Sequence, residues 1–237
     1  QRLAQHLPDD LELSAQDLIN IPSAHISLQN IRMISETVNR YASQEDLDGM
    51  VITHGTDTME ESAYFVHLCY AGSQPVVYTG SMRSANEVGY DGLRNLLSSI
   101  RVASSPQAAN LGAVIVMNEQ IHSAGDLRKL HTQRVDAFQS PPYGPVGEIA
   151  FGTVSMTRSV TRPSPVLEPS YATPVPLVPL TADFEETLLD AIQEMSPKGI
   201  VIEALGGGRV PPKIVPHLTR FIGAGVPVVM TTRCGIG

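Results

Sequence analysis

Two α/β domains are predicted, the larger N-terminal one built on a mainly parallel sheet, and three observations predict them. Short apolar runs rich in β-branched residues, Met50-Val51-Ile52, Val76-Val77-Tyr78-Thr79 and Leu111 to Met117, alternate with stretches of helical periodicity, as strands joined by crossover helices do. The alternation stops between Arg158 and Pro176, where Pro and Ser are frequent and periodicity is lost, and then resumes. At 237 residues, 42% of them hydrophobic, the chain exceeds one average domain and has apolar material for a core. We expect an N-terminal domain over 1–160, a linker over 161–174, and a C-terminal domain over 175–237 that is incomplete.

Each element has its own reason. Residues 1 to 20, with Asp9, Asp10, Glu12 and Asp17 among leucines, read as a loop leading to a short strand. Ile19 to His25 is a turn, and Ser27 with Gln29 and Asn30 opens an amphipathic helix whose stripe holds Ile31, Ile34, Val38 and Tyr41. After Gly49, Met50-Val51-Ile52 reads as a strand buried on both faces. Thr58 and Glu61 have the spacing of a capping box, and Ala63, Val66 and Tyr70, with Phe65 and Cys69, form the apolar stripe of the next helix. Gly72 to Pro75 turns the chain into the Val76 strand, the loop Gly80 to Asn86 follows, and a helix starts near Asp91 and continues through Ile100. Asn118-Glu119-Gln120 leaves the Leu111 strand at the same sheet edge as the earlier turns, and Glu148 to Val154 reads as one strand. Beyond the linker the order is strand (Val175 to Leu180), helix (Phe184 to Met195), strand (Gly199 to Glu203), helix (Lys213 to Ala224), strand (Val226 to Thr231).

Composition excludes several function classes. A net charge of -8 argues against a nucleic-acid partner, and no apolar run is long enough for a membrane span. Only Cys69 and Cys234 are present, and Cys69 falls on a helical apolar stripe, which argues against a disulfide framework and fits a reducing, cytoplasmic setting. His and Cys residues are scattered without ligand spacing, and Gly206-Gly207-Gly208-Arg209 lacks both the GxGxxG and the GK[ST] pattern, so neither a metal nor a nucleotide cofactor is expected. The chain starts with Gln1 rather than Met and stops soon after a strand, so we expect that residues have been removed at both ends.

The turn His54-Gly55-Thr56-Asp57-Thr58 stands where a parallel α/β sheet binds ligands, at the carboxyl end of a strand and the start of a helix whose N–H groups attract anions. Thr and Asp are also ordinary helix caps, so capping and a ligand site both remain open from chemistry alone. Ser23 reads as a turn serine, and the Arg128-Lys129 pair as a solvated surface feature.

The string HGTDTMEESA from His54 to Ala63 resembles a signature of the bacterial-type asparaginase/glutaminase family. Further matches follow in order: the Gly80-Ser81-Met82-Arg83 loop, Asp91-Gly92 with Asn95-Leu96, Asp126 to Lys129, Phe138-Gln139-Ser140, and Tyr143-Gly144-Pro145. The resemblance implies an asparaginase-like fold and an amidohydrolase that converts L-asparagine to L-aspartate and ammonia without cofactor or metal, possible glutaminase activity included. It places Thr56, Asp57 and Lys129 in a catalytic constellation, with Lys129 as the base of the Thr56 hydroxyl. Substrate contacts fall at Ser23, Ala24, Gly55, Thr56 and Asp57, Asp57 taking the α-amino group and Ser23 the α-carboxylate. It also implies a homodimer or homotetramer with sites at subunit interfaces.

Some positions depart from the pattern. Gly89-Tyr90 stands where Ser-Ala is usual, Ala24 replaces a polar residue, and Gly207 falls where many members place Asn or Arg. The family's N-terminal Thr-Gly-Gly-Thr segment and its neighbouring Tyr are not among these residues, which keeps two alternatives in view: an amidotransferase subunit releasing ammonia for tRNA-dependent amide synthesis, and an inactive amino-acid-binding homologue.

Overall fold

The computed structural model, which describes residues 11–43, 47–167 and 170–236, turns the apolar runs into strands and the periodic stretches into helices. It divides into two units, Gln1–Pro169 and Ser170–Gly237. In the first, α1 (Leu28–Ala42), β1 (Met50–Thr53), α2 (Met59–Cys69), β2 (Val76–Thr79), α3 (Gly92–Ala103) and β3 (Ala113–Met117) alternate as predicted. Then come β4 (Gln120–Ser123), a two-stranded pair β5 (Arg128–Lys129) and β6 (Phe138–Gln139), and β7 (Gly147–Ala150) and β8 (Thr153–Met156). The six-stranded sheet has the order β1-β2-β3-β4-β7-β8. Its first three strands are parallel and the rest antiparallel.

Strand periodicity sorts the core into two layers. Val76, Tyr78, Ala113, Ile115 and Met117 point to the side covered by Ile34, Val38, Met59, Ala63 and Val66 of α1 and α2. The intervening Val77, Val114 and Val116 point the other way, against Val102 and Ala103 of α3. Ser27 starts α1 by accepting the Asn30 N–H at 3.3 Å while Asn30 Oδ1 accepts the Ser27 N–H at 2.9 Å, a reciprocal cap.

Several expectations need correction, four of them along the strands of the first unit and the segment before it. First, β1 is not buried on both faces: it pairs with β2 on one side, has no other partner among the described residues, and is half-buried to exposed. Second, 11–20 contains no strand, and 1–10 lie outside the described residues. Third, Asn118-Glu119 is not an exit loop but a two-residue turn, both residues at positive φ (50° and 62°), that folds β4 back on β3. Fourth, Glu148 to Val154 is the tip of the β7–β8 hairpin, whose turn places Phe151 and Gly152 at φ 51° and 80°.

The second unit holds β9 (Leu177–Pro179), α4 (Thr187–Glu194), β10 (Ile200–Ala204), α5 (Val215–Gly223) and β11 (Val228–Thr232), with the parallel order β11-β10-β9. Alternate residues Ile200, Ile202 and Ala204 of β10 pack with Val178, Leu189, Ile192, Ile214 and Phe221. Helix α4 starts three residues later than expected, and a 3-10 turn (Pro212–Ile214) precedes α5. After β10, Leu205 and Arg209 exchange backbone hydrogen bonds of 2.9 and 2.8 Å across the glycine turn.

Candidate active site

From His54 the chain leaves β1 at the carboxyl edge of the parallel strands and crosses that edge to enter α2. Gly80 makes the crossing possible, because a Cβ there would lie 2.4 Å from the His54 carbonyl oxygen and 2.9 Å from Met59 Cε. The loop after β2 is in turn held by α3. The Asp91 carboxylate accepts the N–H groups of Met82 and Arg83, each at 3.0 Å. Asn95 donates to the Gly80 carbonyl at 3.0 Å and accepts the Asn118 N–H at 3.0 Å. The Asp91-Gly92-x-x-Asn95 spacing thus ties the loop after β2 and the turn after β3 to one helix. His54 Nδ1 lies 2.6 Å from the Gly55 carbonyl oxygen, so that nitrogen carries the proton. Burial pushes the His54 imidazole below its usual pKa, so the ring is neutral at pH 7.

Ser23, buried in a 3-10 turn (Ser23–His25), packs under this crossing. Its Oγ accepts the Asp57 N–H at 3.2 Å, and its carbonyl oxygen accepts the Thr58 hydroxyl at 2.8 Å. The second bond overturns the expected capping box. Thr58 does precede α2, but its hydroxyl is committed to Ser23 and no side chain caps the helix. The first bond leaves the Ser23 hydroxyl proton free to donate. Ala24 is exposed beside it and makes no hydrogen bond within the cluster.

Lys129 arrives from a distant part of the chain. After β4 the chain runs back along α2: Asp126 lies within electrostatic range of His67, and the Lys129 N–H donates to Glu60 Oε2 at 2.6 Å. Leu127 and Phe138 anchor this stretch in the core shared with Met59 and Ala63. The outcome is that Lys129 Nζ donates to Thr56 Oγ1 at 2.9 Å and to Asp57 Oδ1 at 2.7 Å. The Lys129 side chain is 16% exposed and that of Asp57 65%, so the amine is shielded while the carboxylate keeps a face open for a further partner.

That open face lines a cleft of ≈ 320 Å³ with Lys129, Leu130, His131 and Thr132, the lower end of the range for small-molecule sites. His131 Nδ1 accepts the N–H groups of Gln133 and Arg134, both at 3.1 Å, so its proton is on Nε2. Of the residues singled out from sequence, Ser23, Gly55, Thr56, Asp57 and Lys129 come together. Among the described residues, no group of three or more His, Cys, Asp and Glu is arranged to hold a metal ion.

The family model described as "Asparaginase, N-terminal" matches residues 1–162, and "Glutaminase/Asparaginase C-terminal domain" matches residues 174–237. The chain belongs to the bacterial-type asparaginase family. Within that family it is 36% identical to a probable L-asparaginase of Deinococcus radiodurans, over 97% of this chain and 70% of the relative. It is 31% identical to a glutaminase-asparaginase of Pseudomonas aeruginosa, over 98% of this chain and 65% of the relative. The crystal structure of a probable cytoplasmic L-asparaginase from Campylobacter jejuni superposes with a TM-score of 0.89 at 29% identity, covering 98% of this chain and 75% of that one. The asparaginase-like α/β fold expected from sequence is the fold of this chain.

Two site residues of this asparaginase-family chain escape sequence reasoning. His131 gave no signal at all. Glu60 lies inside the recognised string, but its partner is 69 residues away.

Proposed function

We propose that the protein hydrolyses the side-chain amide of L-asparagine to L-aspartate and ammonia, with the first unit carrying the active site. The observation that carries this reading is the contact of Lys129 Nζ with both Thr56 and Asp57 across more than seventy residues of sequence, beside an open cleft. Names of relatives agree, and both L-asparaginases and a glutaminase-asparaginase are among them.

The chemistry follows from the geometry. A threonine hydroxyl becomes a competent nucleophile when an adjacent base removes its proton, and a lysine does so as the neutral amine. Once the Lys129 ammonium, paired with Asp57 here, has released a proton to solvent, Thr56 Oγ1 adds to the amide carbon while its own proton passes to the neutral Lys129 amine. The carbonyl oxygen takes up the negative charge, which the uncapped N–H groups at the start of α2 stabilise. Collapse of the adduct breaks the C–N bond, Lys129 returns the proton to the departing nitrogen, and ammonia leaves. Water, deprotonated by the same amine, then cleaves the ester and restores the Thr56 hydroxyl. The open face of Asp57 takes the substrate's α-ammonium, and the Ser23 hydroxyl proton its α-carboxylate. We place the enzyme in the cytoplasm, where a buried Cys69 and an exposed Cys234 remain thiols.

The test is ammonia release from Asn and from Gln by the purified protein and its Thr56→Val variant, which loses the hydroxyl at nearly constant volume. Turnover of Asn that falls at least about a thousandfold in the variant is expected for loss of a nucleophile. Near-normal release by Thr56→Val removes Thr56 from the chemistry, and release from neither amide by the parent protein supports the inactive amino-acid-binding alternative.

A further inference from the structure

We infer that Glu60 is a positioning residue that sets Lys129 at its distance from Thr56 through a hydrogen bond to the Lys129 main chain; the inference rests on the reading of Lys129 as the proton acceptor. The strand that carries Lys129 has little else to fix it. β5 is two residues long and, among the described residues, pairs with β6 alone in a two-stranded sheet. Successive N–H groups of a strand face opposite sides, and here the Leu130 N–H goes to Ala137 on the β6 side at 2.7 Å. The Lys129 N–H faces the other way, toward α2, and meets Glu60 Oε2 at 2.6 Å. The other carboxylate oxygen of Glu60 is 3.5 Å from the Arg128 guanidinium, so one side chain holds two consecutive residues of β5.

Glu60 is also well placed to hold β5 in register with the nucleophile. It is the second residue of α2, four residues after Thr56, and its side chain is 22% exposed against 69% for Arg128. Arg128 is therefore the dispensable member of the group, whereas the bond to the Lys129 main chain joins the two segments whose side chains react. Without it, the Lys129 main chain would be held by the β6 pairing and the Leu127 anchor, with only the side-chain bonds to Thr56 and Asp57 reaching toward α2. Displacements near 1 Å in a catalytic pair change rates by about a hundredfold.

The experiment measures kcat and KM for ammonia release, with pH profiles, for full-chain Glu60→Ala, Glu60→Asp, Glu60→Gln and Lys129→Met. Ala is the best helix former, which partly offsets the loss of a first-turn acid from α2 in Glu60→Ala. Asp keeps the charge but is one methylene too short; Gln keeps the reach and an acceptor oxygen. Expected are a fall in kcat of about 10- to 100-fold for Ala and Asp with KM nearly unchanged, a displaced limb in the kcat pH profile, and Gln within about threefold of the parent. A merely structural role would lower the active fraction and leave the pH profile in place. The opposite order, Asp active and Gln impaired, assigns the effect to charge and overturns the inference. An inactive Lys129→Met beside a fully active Glu60→Ala overturns it while leaving the base in place; an active Lys129→Met overturns the base and the inference together. A crystal structure of Glu60→Ala with Nζ still 2.9 Å from Thr56 Oγ1 overturns it without reference to activity.

Discussion

Adding one methyl group at Gly55 tests how the active-site loop is seated. A Cβ at this position would stand 2.6 Å from Ser23 Oγ, 2.7 Å from Ser23 Cβ and 3.3 Å from Ser23 N, where ordinary contacts begin at 3.4 Å. The Ser23 side chain must therefore retreat by about 0.7–0.8 Å, beyond what a packed interior absorbs without strain. Overpacking of this kind costs about 1–3 kcal/mol. Retreat also breaks the Asp57 N–H bond to Ser23 Oγ, already 3.2 Å long, worth about another 1 kcal/mol. We expect Gly55→Ala to lose about 2–4 kcal/mol in urea denaturation and to raise KM for Asn, since the Ser23 hydroxyl leaves the place assigned to the α-carboxylate. Adding Ser23→Gly removes the atoms in conflict, so the double variant should be more stable than the sum of the single losses by about 1 kcal/mol or more. Strict additivity, or a Gly55→Ala protein with unchanged urea midpoint and KM, would refute the argument that Ser23 is wedged under Gly55.

Three other outcomes are expected. Arg128→Met should leave kcat within about threefold of the parent, because its ion pair with Glu60 is long and its own side chain is largely exposed; a loss as large as that of Lys129→Met, measured by ammonia release, would show that the wrong member of the pair was assigned. His122 is buried with its Nδ1 on Ser140 Oγ at 2.9 Å, and burial, reinforced by Arg158, lowers its pKa from 6.5 to about 4. Between those values the unfolded chain binds the proton and the folded chain does not, so stability falls as pH drops from 6.5 toward 4, by up to about 3 kcal/mol. Urea titrations should show that slope flattened in His122→Phe, and parallel curves for the two proteins would contradict it. Light scattering should give a homodimer or homotetramer, as the family resemblance implies; a monodisperse monomer at working concentration would count against it.

Much of the first unit was legible because its central strands are short, apolar and flanked by turns, and because Ser27 and Asn30 cap α1 with their own side chains. The errors have local causes. β4, Gln120–Ser123, has one apolar residue, Ile121, among three polar ones and follows a turn without glycine, so neither its run nor its turn announced a strand. The β7–β8 hairpin hid behind Phe151, an aromatic residue in the left-handed conformation that turns usually reserve for Gly or Asn. Thr58 had the right spacing for a cap and lost it to a tertiary acceptor, the Ser23 carbonyl, that no local pattern reveals. Of the site, the polar groups crowding one strand end made Thr56 and Asp57 candidates, with helix capping equally open until the family string decided between the two. Lys129 was no such candidate: beside Arg128 it reads as solvated surface, and only the family pattern marked it. Asp91 and Asn95 belonged to that pattern too, but their work of tying loops to α3 became visible only in the fold.

The bond from the Lys129 N–H to Glu60 is made by the main chain and is indifferent to what hangs from the Cα of residue 129. Place and reagent are therefore specified by different residues. A shorter amine or a thiol installed at 129 would keep the backbone in place by the same contact but leave its reacting atom short of Thr56, which Lys129 reaches only with its full side chain. On the proposed reading, the backbone contact sets where residue 129 starts and the length of its side chain sets where the base ends, so rates of variants at 129 would report reach and chemistry together.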